Sequence, residues 1–197
     1  LYINAIAIKN SKEVVMKGVI FTELLNMLEE QQSAAFVQEL IDDTELKSNG
    51  VYTKVGTYPT CEIVALVTKL SEKTGLTIPE LLGIFGKHLF GQFANMYPQY
   101  FRGVDSAFDF LKSVEDVIHV DVKKLYPDAE LPKFDIQSHD QDHIHFVYTS
   151  KHNFGDLCQG LISGCLEHFE EEATINRNDL DSANGAKIEF TVTKQAA

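Results

Sequence analysis

Val117-Ile118-His119-Val120-Asp121-Val122-Lys123-Lys124-Leu125-Tyr126-Pro127-Asp128-Ala129-Glu130-Leu131-Pro132 is the point at which the chain changes character. Before it apolar residues recur at helical spacing; after it they alternate. The stretch places one histidine late on a helix that begins near Val104 and ends by Tyr126-Pro127, followed by a loop bounded by two prolines. Upstream, the periodicity predicts helices over 16–32, 34–46 and 61–74, the last stopping near Gly75. Asn49-Gly50 marks a turn before Val51-Tyr52-Thr53-Lys54-Val55. Thr77-Ile78-Pro79-Glu80 opens a further helix, with Thr as cap and Pro in the first turn, running to Tyr97-Pro98. Downstream, 133–136 and 143–148 read as strands across polar 138–142, then a helix over 154–171 and a closing strand over 187–193. Helices first and an antiparallel sheet second predict an α+β fold, a mostly helical N-terminal part packed on a C-terminal sheet.

The chain has 197 residues, 44% of them hydrophobic, a globular composition long enough to enclose a cofactor. Its 17 Lys and Arg against 29 Asp and Glu give a net charge of -12, which argues against nucleic acid as a partner. Cys61, Cys158 and Cys165 lack C-x-x-C spacing and read as free thiols of a reducing compartment, so the cytoplasm is the expected location. No apolar run approaches the roughly 20 residues that cross a bilayer, so no membrane association is expected. Residues 1–15 precede Met16-Lys17-Gly18 as an N-terminal extension of unassigned origin; they carry neither a basic leader nor a small-residue cleavage site. Residues 16–197 are expected to form a single domain.

Taken alone, a histidine beside an apolar stripe is ordinarily a hydrogen-bonded core residue. The ordered set of fragments changes that reading: Met16-Lys17-Gly18-Val19-Ile20-Phe21, Gly50-Val51-Tyr52-Thr53 with Gly56-Thr57-Tyr58, Phe85-Gly86 before Leu89-Phe90, His119, Leu125-Tyr126-Pro127-Asp128-Ala129 with Leu131-Pro132, then Tyr148-Thr149-Ser150. Together they resemble the haem-nitric oxide/oxygen-binding (H-NOX) domain of the bacterial stand-alone type, from Met16 to about Phe190. The resemblance implies a ferrous haem b whose iron takes His119 as its one protein ligand, with the opposite face open to gas. It implies that Pro132 presses on the porphyrin and holds it out of plane. Tyr148 and Ser150 match two members of the family's Tyr-x-Ser-x-Arg motif, which grips the propionates through hydroxyl and guanidinium donors. The third position is His152 rather than Arg, so haem retention is expected to be weaker or more pH-sensitive than in the family at large.

Bound dioxygen is held well only where a hydrogen-bond donor meets it, whereas nitric oxide binds tightly without one. Oxygen-binding members of the family place a tyrosine on the helix after the propionate motif; counting from Tyr148-Thr149-Ser150, that position is Leu157. The other positions expected around the gas are Ile20, Leu24, Leu89, Phe93 and Leu161, all apolar. Nitric oxide is therefore the expected ligand, with carbon monoxide also bound. Stand-alone relatives act on a histidine kinase or a cyclic-dinucleotide enzyme, so a partner in trans and no catalysis are expected.

Cys158, Cys165 and His168 share one helix, but 176–188 offers no Cys or His to complete a four-ligand zinc site, and zinc is not expected. His139, His143 and His145 fall on or beside one hairpin and read as a solvated face. Two other readings stand beside the sensor. A haem enzyme, peroxidase-like or consuming nitric oxide, needs a distal acid and base, for which His88 is the sole local candidate. A haem-free interaction domain would suit the departure at His152.

Overall fold

The computed structural model describes residues 14–183 and 185–195; most of the 1–15 extension lies outside them. Strand β1 (Val15–Lys17) pairs antiparallel with β2 (Thr57–Pro59), Met16 opposite Tyr58, and the Thr60 N–H donates to the Val14 carbonyl at 3.0 Å. Between them run α1 (Gly18–Gln31) and α2 (Ala34–Asp42). After β2 come α3 (Thr60–Thr74) and α4 (Ile78–Met96). The apolar positions that set the helical period now form one core, with Phe21, Leu24, Leu66, Phe85 and Leu89 fully buried. The α4 start is as the sequence predicts: the Glu80 N–H donates to Thr77 Oγ1 while Glu80 reaches back to the Thr77 N–H.

A 3-10 turn over Pro98–Phe101 leads to α5 (Ala107–Ser113). The long helix expected from Val104 is not continuous. It widens into a π-helical stretch over Val114–His119 and resumes as α6 (Val120–Leu125). Such insertions are local, rare and enriched at functional sites. His119 is the last residue of this one.

The C-terminal sheet has the order β3-β4-β6-β5, built from β3 (Lys133–His139), β4 (His143–Ser150), β5 (Ala173–Asp179) and β6 (Ala186–Lys194), all antiparallel. Register places Ile144, Phe146 and Tyr148 opposite Val192, Phe190 and Ile188, so alternate residues of both strands face one side. Helix α7 (Gly155–His168) covers that side with Cys158, Ile162, Cys165 and Leu166, completing a second core. Helices α4 and α7 cross in close contact, because a side chain at Gly86 would run into the Leu157 carbonyl and one at Gly160 into the Gly83 carbonyl. Leu161 packs against both cores.

Candidate functional site

His119 leaves the end of the π-helical stretch with its side chain 15% exposed. Its Nδ1 lies 3.1 Å from Glu115 Oε2 one turn earlier. A carboxylate only accepts, so Nδ1 carries the proton and Nε2 keeps its lone pair. Burial pushes the imidazole below the ordinary histidine range, against the opposing pull of Glu115, which keeps the ring neutral at neutral pH. A neutral ring with a free Nε2 lone pair is what a metal requires.

Strand β3 joins His119 to Tyr148 on the neighbouring strand. The Phe134 ring meets His119 edge-on at 5.6 Å and Tyr148 edge-on at 5.7 Å. Its N–H donates to the same Glu115 Oε2 at 3.0 Å. Pro132 stands half-buried, directly before Lys133 at the start of β3. Tyr148 and Ser150 are two apart on β4 and share its buried side. Burial raises the Tyr148 phenol well above its usual range, so it remains a donor. Ser150 Oγ accepts the His152 N–H at 3.1 Å, which turns His152 inward to stack on Phe154 at 5.6 Å.

His152 is 9% exposed and its Nε2 is buried with no hydrogen-bond partner among the described residues. Such an atom costs stability unless something accepts from it or donates to it. It borders a pocket of about 310 Å³ whose walls are Lys123 and residues 127–131 on one side and Ser150, Lys151 and His152 on the other. Lys151 is drawn into an ion pair with Glu130 at 2.8 Å. The donor set therefore fits an iron porphyrin: a neutral imidazole for the metal, and hydroxyl and ring donors beside a pocket for its carboxylates.

Burial lowers the His152 pKa below the ordinary value of 6.5, with Lys151 reinforcing the fall and Glu130 opposing it. A depressed folded-state value means that the unfolded chain takes up the proton more readily. The contribution of His152 to stability is then whole above 6.5 and drains away as pH falls toward and through the folded value. The ligand-free protein is expected to melt earlier as pH falls from about 7 to about 5, and His152→Gln to lose less over the same interval. Equal slopes for the two proteins would remove His152 from the explanation. His119 shifts in the same direction, so the variant keeps part of the acid sensitivity.

The apolar positions expected around the gas fall into one body of packing. Leu24, Leu89 and Leu157 are buried in the N-terminal core, and Ile20, Phe93 and Leu161 pack against it. His119 meets the other core through Phe134. His88 on α4 keeps Nε2 buried without a hydrogen-bond partner among the described residues.

The remaining histidines separate. His139 turns to Asp109 at 3.6 Å, His143 to Asp140 at 3.2 Å and His145 to Glu189 at 2.9 Å, so they do not converge. Cys158 and Cys165 are buried thiols whose pKa burial raises, and the His168 ring packs on Phe90 and Phe101. Among the described residues no group of three His, Cys, Asp or Glu side chains is placed to hold a metal ion. Sequence reasoning missed Glu115 and Phe134. The signals for them were the four-residue spacing from Glu115 to His119, and the alternation that puts Phe134 and Ile136 on one face of β3.

The profile of the Haem-NO-binding family matches residues 17–177. Among solved structures, the Fe(II) unliganded H-NOX protein from K. algicida is 34% identical, with a TM-score of 0.85 over 92% of this chain and 98% of that one. The IWP-051-bound H-NOX from Shewanella woodyi, in the Fe(II)CO ligation state, is 36% identical, with a TM-score of 0.78 over 91% and 95%. The H-NOX protein from S. oneidensis in the Fe(II)NO ligation state has a TM-score of 0.83 over 92% and 100%; at 24% identity that likeness speaks for the fold alone. No curated protein matches the chain.

Proposed function

Because the chain belongs to the Haem-NO-binding (H-NOX) family of haem-based gas sensors, we propose that it senses nitric oxide through ferrous haem b held by His119, without catalysing a reaction. The carrying observation is the pairing of two environments: a neutral imidazole steadied by Glu115, and an apolar wall of Ile20, Leu24, Leu89, Phe93, Leu157 and Leu161 with no donor of its own. The Shewanella woodyi relative, at 36% identity, is in the Fe(II)CO ligation state, which supports a diatomic gas as the ligand here. Bound haem would supply a ferrous iron able to take a diatomic gas, and His119 is the residue that would hold that iron.

The chain's own residues do the rest. Tyr148, Ser150 and His152 would donate to the propionates, and Pro132 presents a ring of fixed φ that yields little when pushed. His119 would be the tether, and a gas that loosened it would leave Pro132 and the wall formed by Ile20 and Leu24 free to take a second arrangement. A partner that binds one arrangement better than the other reads the gas. That partner is a histidine kinase or a cyclic-dinucleotide enzyme acting in trans, and residues 16–197 serve as one sensing unit. Among the described residues no helix is long and apolar enough to cross a membrane.

The test is the visible absorption spectrum of the reduced protein without air, then with nitric oxide and separately with oxygen. A haem spectrum that nitric oxide changes and oxygen does not stably alter is the expected result. A stable oxygen complex would overturn the choice of gas and point to His88 as the donor. No haem after reconstitution would overturn the reading in favour of a haem-free interaction domain.

A further inference from the structure

Glu115 uses one carboxylate oxygen for two tasks. Its Oε2 accepts from His119 Nδ1 at 3.1 Å and from the Phe134 N–H at 3.0 Å. The second donor has a topological reason: β3 is at the edge of its sheet, and among the described residues no neighbouring strand takes the N–H groups on its outer side. Glu115 takes one of them two residues past Pro132. Glu115 and His119, four residues apart, both lie in the π-helical stretch, with the Phe134 ring set edge-on against the imidazole. Orientation of the ring is thus held by a hydrogen bond on one atom and an aromatic contact beside it.

We infer that Glu115 is a positioning residue for His119: its carboxylate fixes the ring, makes Nε2 a stronger donor to iron, and ties that ligand to β3 through the Phe134 N–H. The inference rests on the haem reading above. An anionic acceptor on Nδ1–H leaves more electron density at the opposite nitrogen, which is how outer carboxylates tune histidine ligands elsewhere. A stronger bond resists release, so Glu115 sets how readily nitric oxide frees His119. Because the same oxygen holds β3, a displaced His119 disturbs the strand that follows Pro132.

Two measurements test this. Resonance Raman on the ferrous holoprotein reads the iron–histidine stretch. Glu115→Gln, which keeps shape and an acceptor oxygen but not the charge, is expected to lower that frequency. Its nitric oxide complex is expected to lose the iron–histidine bond more completely, and Glu115→Ala to weaken haem retention about 10–100-fold. Asp116→Asn, an exposed neighbour of equal charge, is expected to leave the frequency where it is. Nitrogen-15 NMR of the ligand-free protein reads the tautomer directly: Nδ1 protonated in the wild type, mixed in Glu115→Ala. An unchanged frequency in Glu115→Gln together with an unchanged tautomer in Glu115→Ala would overturn the inference and leave the haem reading standing. A wild-type holoprotein with no iron–histidine band, or a His119→Ala protein that keeps one, would overturn the haem reading itself.

Discussion

His119→Gly is expected to leave a folded protein that loses its haem on gel filtration, with the ferrous spectrum and the nitric oxide response lost together. Losing an outer partner of a metal ligand costs roughly 10–100-fold, and losing the ligand itself costs more. No nearby group substitutes. Tyr148 is held protonated by burial, His143 and His145 are engaged with carboxylates, and Ser150 offers only a hydroxyl. The propionate donors remain, but His152 is kept neutral by burial and brings no charge to the grip. Glycine also loosens a helix by about 1 kcal/mol relative to alanine, so His119→Ala serves as the control in which backbone freedom is not raised. Exogenous imidazole is expected to restore the spectrum in the glycine variant, whose missing side chain leaves room for it. Stoichiometric haem and an unchanged nitric oxide response in both variants would sink the ligand assignment.

The parts of this arrangement that were legible in the sequence are those fixed by local chemistry. Thr77, Pro79 and Glu80 announce a helix start because cap and capping box act within one turn. Gly75 announces a stop because the left-handed cap, at φ 76°, suits glycine. The alternation in β4 is clear because its inner residues are large and its sheet face is buried. Strand β5 was missed for the opposite reason. Ala173-Thr174-Ile175-Asn176-Arg177-Asn178-Asp179 is an edge strand with two apolar residues, and it is a strand only because β6 pairs with it. Val51-Tyr52-Thr53-Lys54-Val55 has strand composition but forms a loop, with Val51 and Val55 exposed. Tyr52 accounts for that, stacking on Phe21 at 4.5 Å and donating to the buried Glu62 at 2.7 Å. The π-helical insertion is silent in an amphipathic pattern, since one extra residue shifts the stripe without erasing it. Glu115 reads as a solvated helix charge until β3 is brought beside it. Haem and nitric oxide came from the order of the fragments, and none of those fragments implies a cofactor by its own chemistry.

Leu157→Tyr is expected to convert a protein that holds no stable oxygen complex into one that does. Leu157 lies in the first turn of α7, buried beside the core that includes Leu24 and Leu89, the position at which a donor would meet a bound gas under the nitric oxide reading. Dioxygen on ferrous iron draws negative charge onto itself, and a phenol donor in an apolar surround stabilises that charge more than water would. Nitric oxide gains little from the same hydroxyl and is expected to bind both proteins. Size works against the substitution. The Leu157 carbonyl abuts Gly86, so the helix cannot retreat from α4 to make room, and overpacking costs about 1–3 kcal/mol in stability. Leu157→Phe separates the two effects, because it adds the ring without the hydroxyl. Both variants are expected to melt earlier than the parent, and only the tyrosine variant to show a persistent oxygen spectrum. An oxygen complex of equal lifetime in the phenylalanine variant would mean that shape, and not a hydrogen bond, selects the gas. No oxygen complex in Leu157→Tyr, with haem retained, would place the gas away from Leu157 and require another residue of the wall to face it.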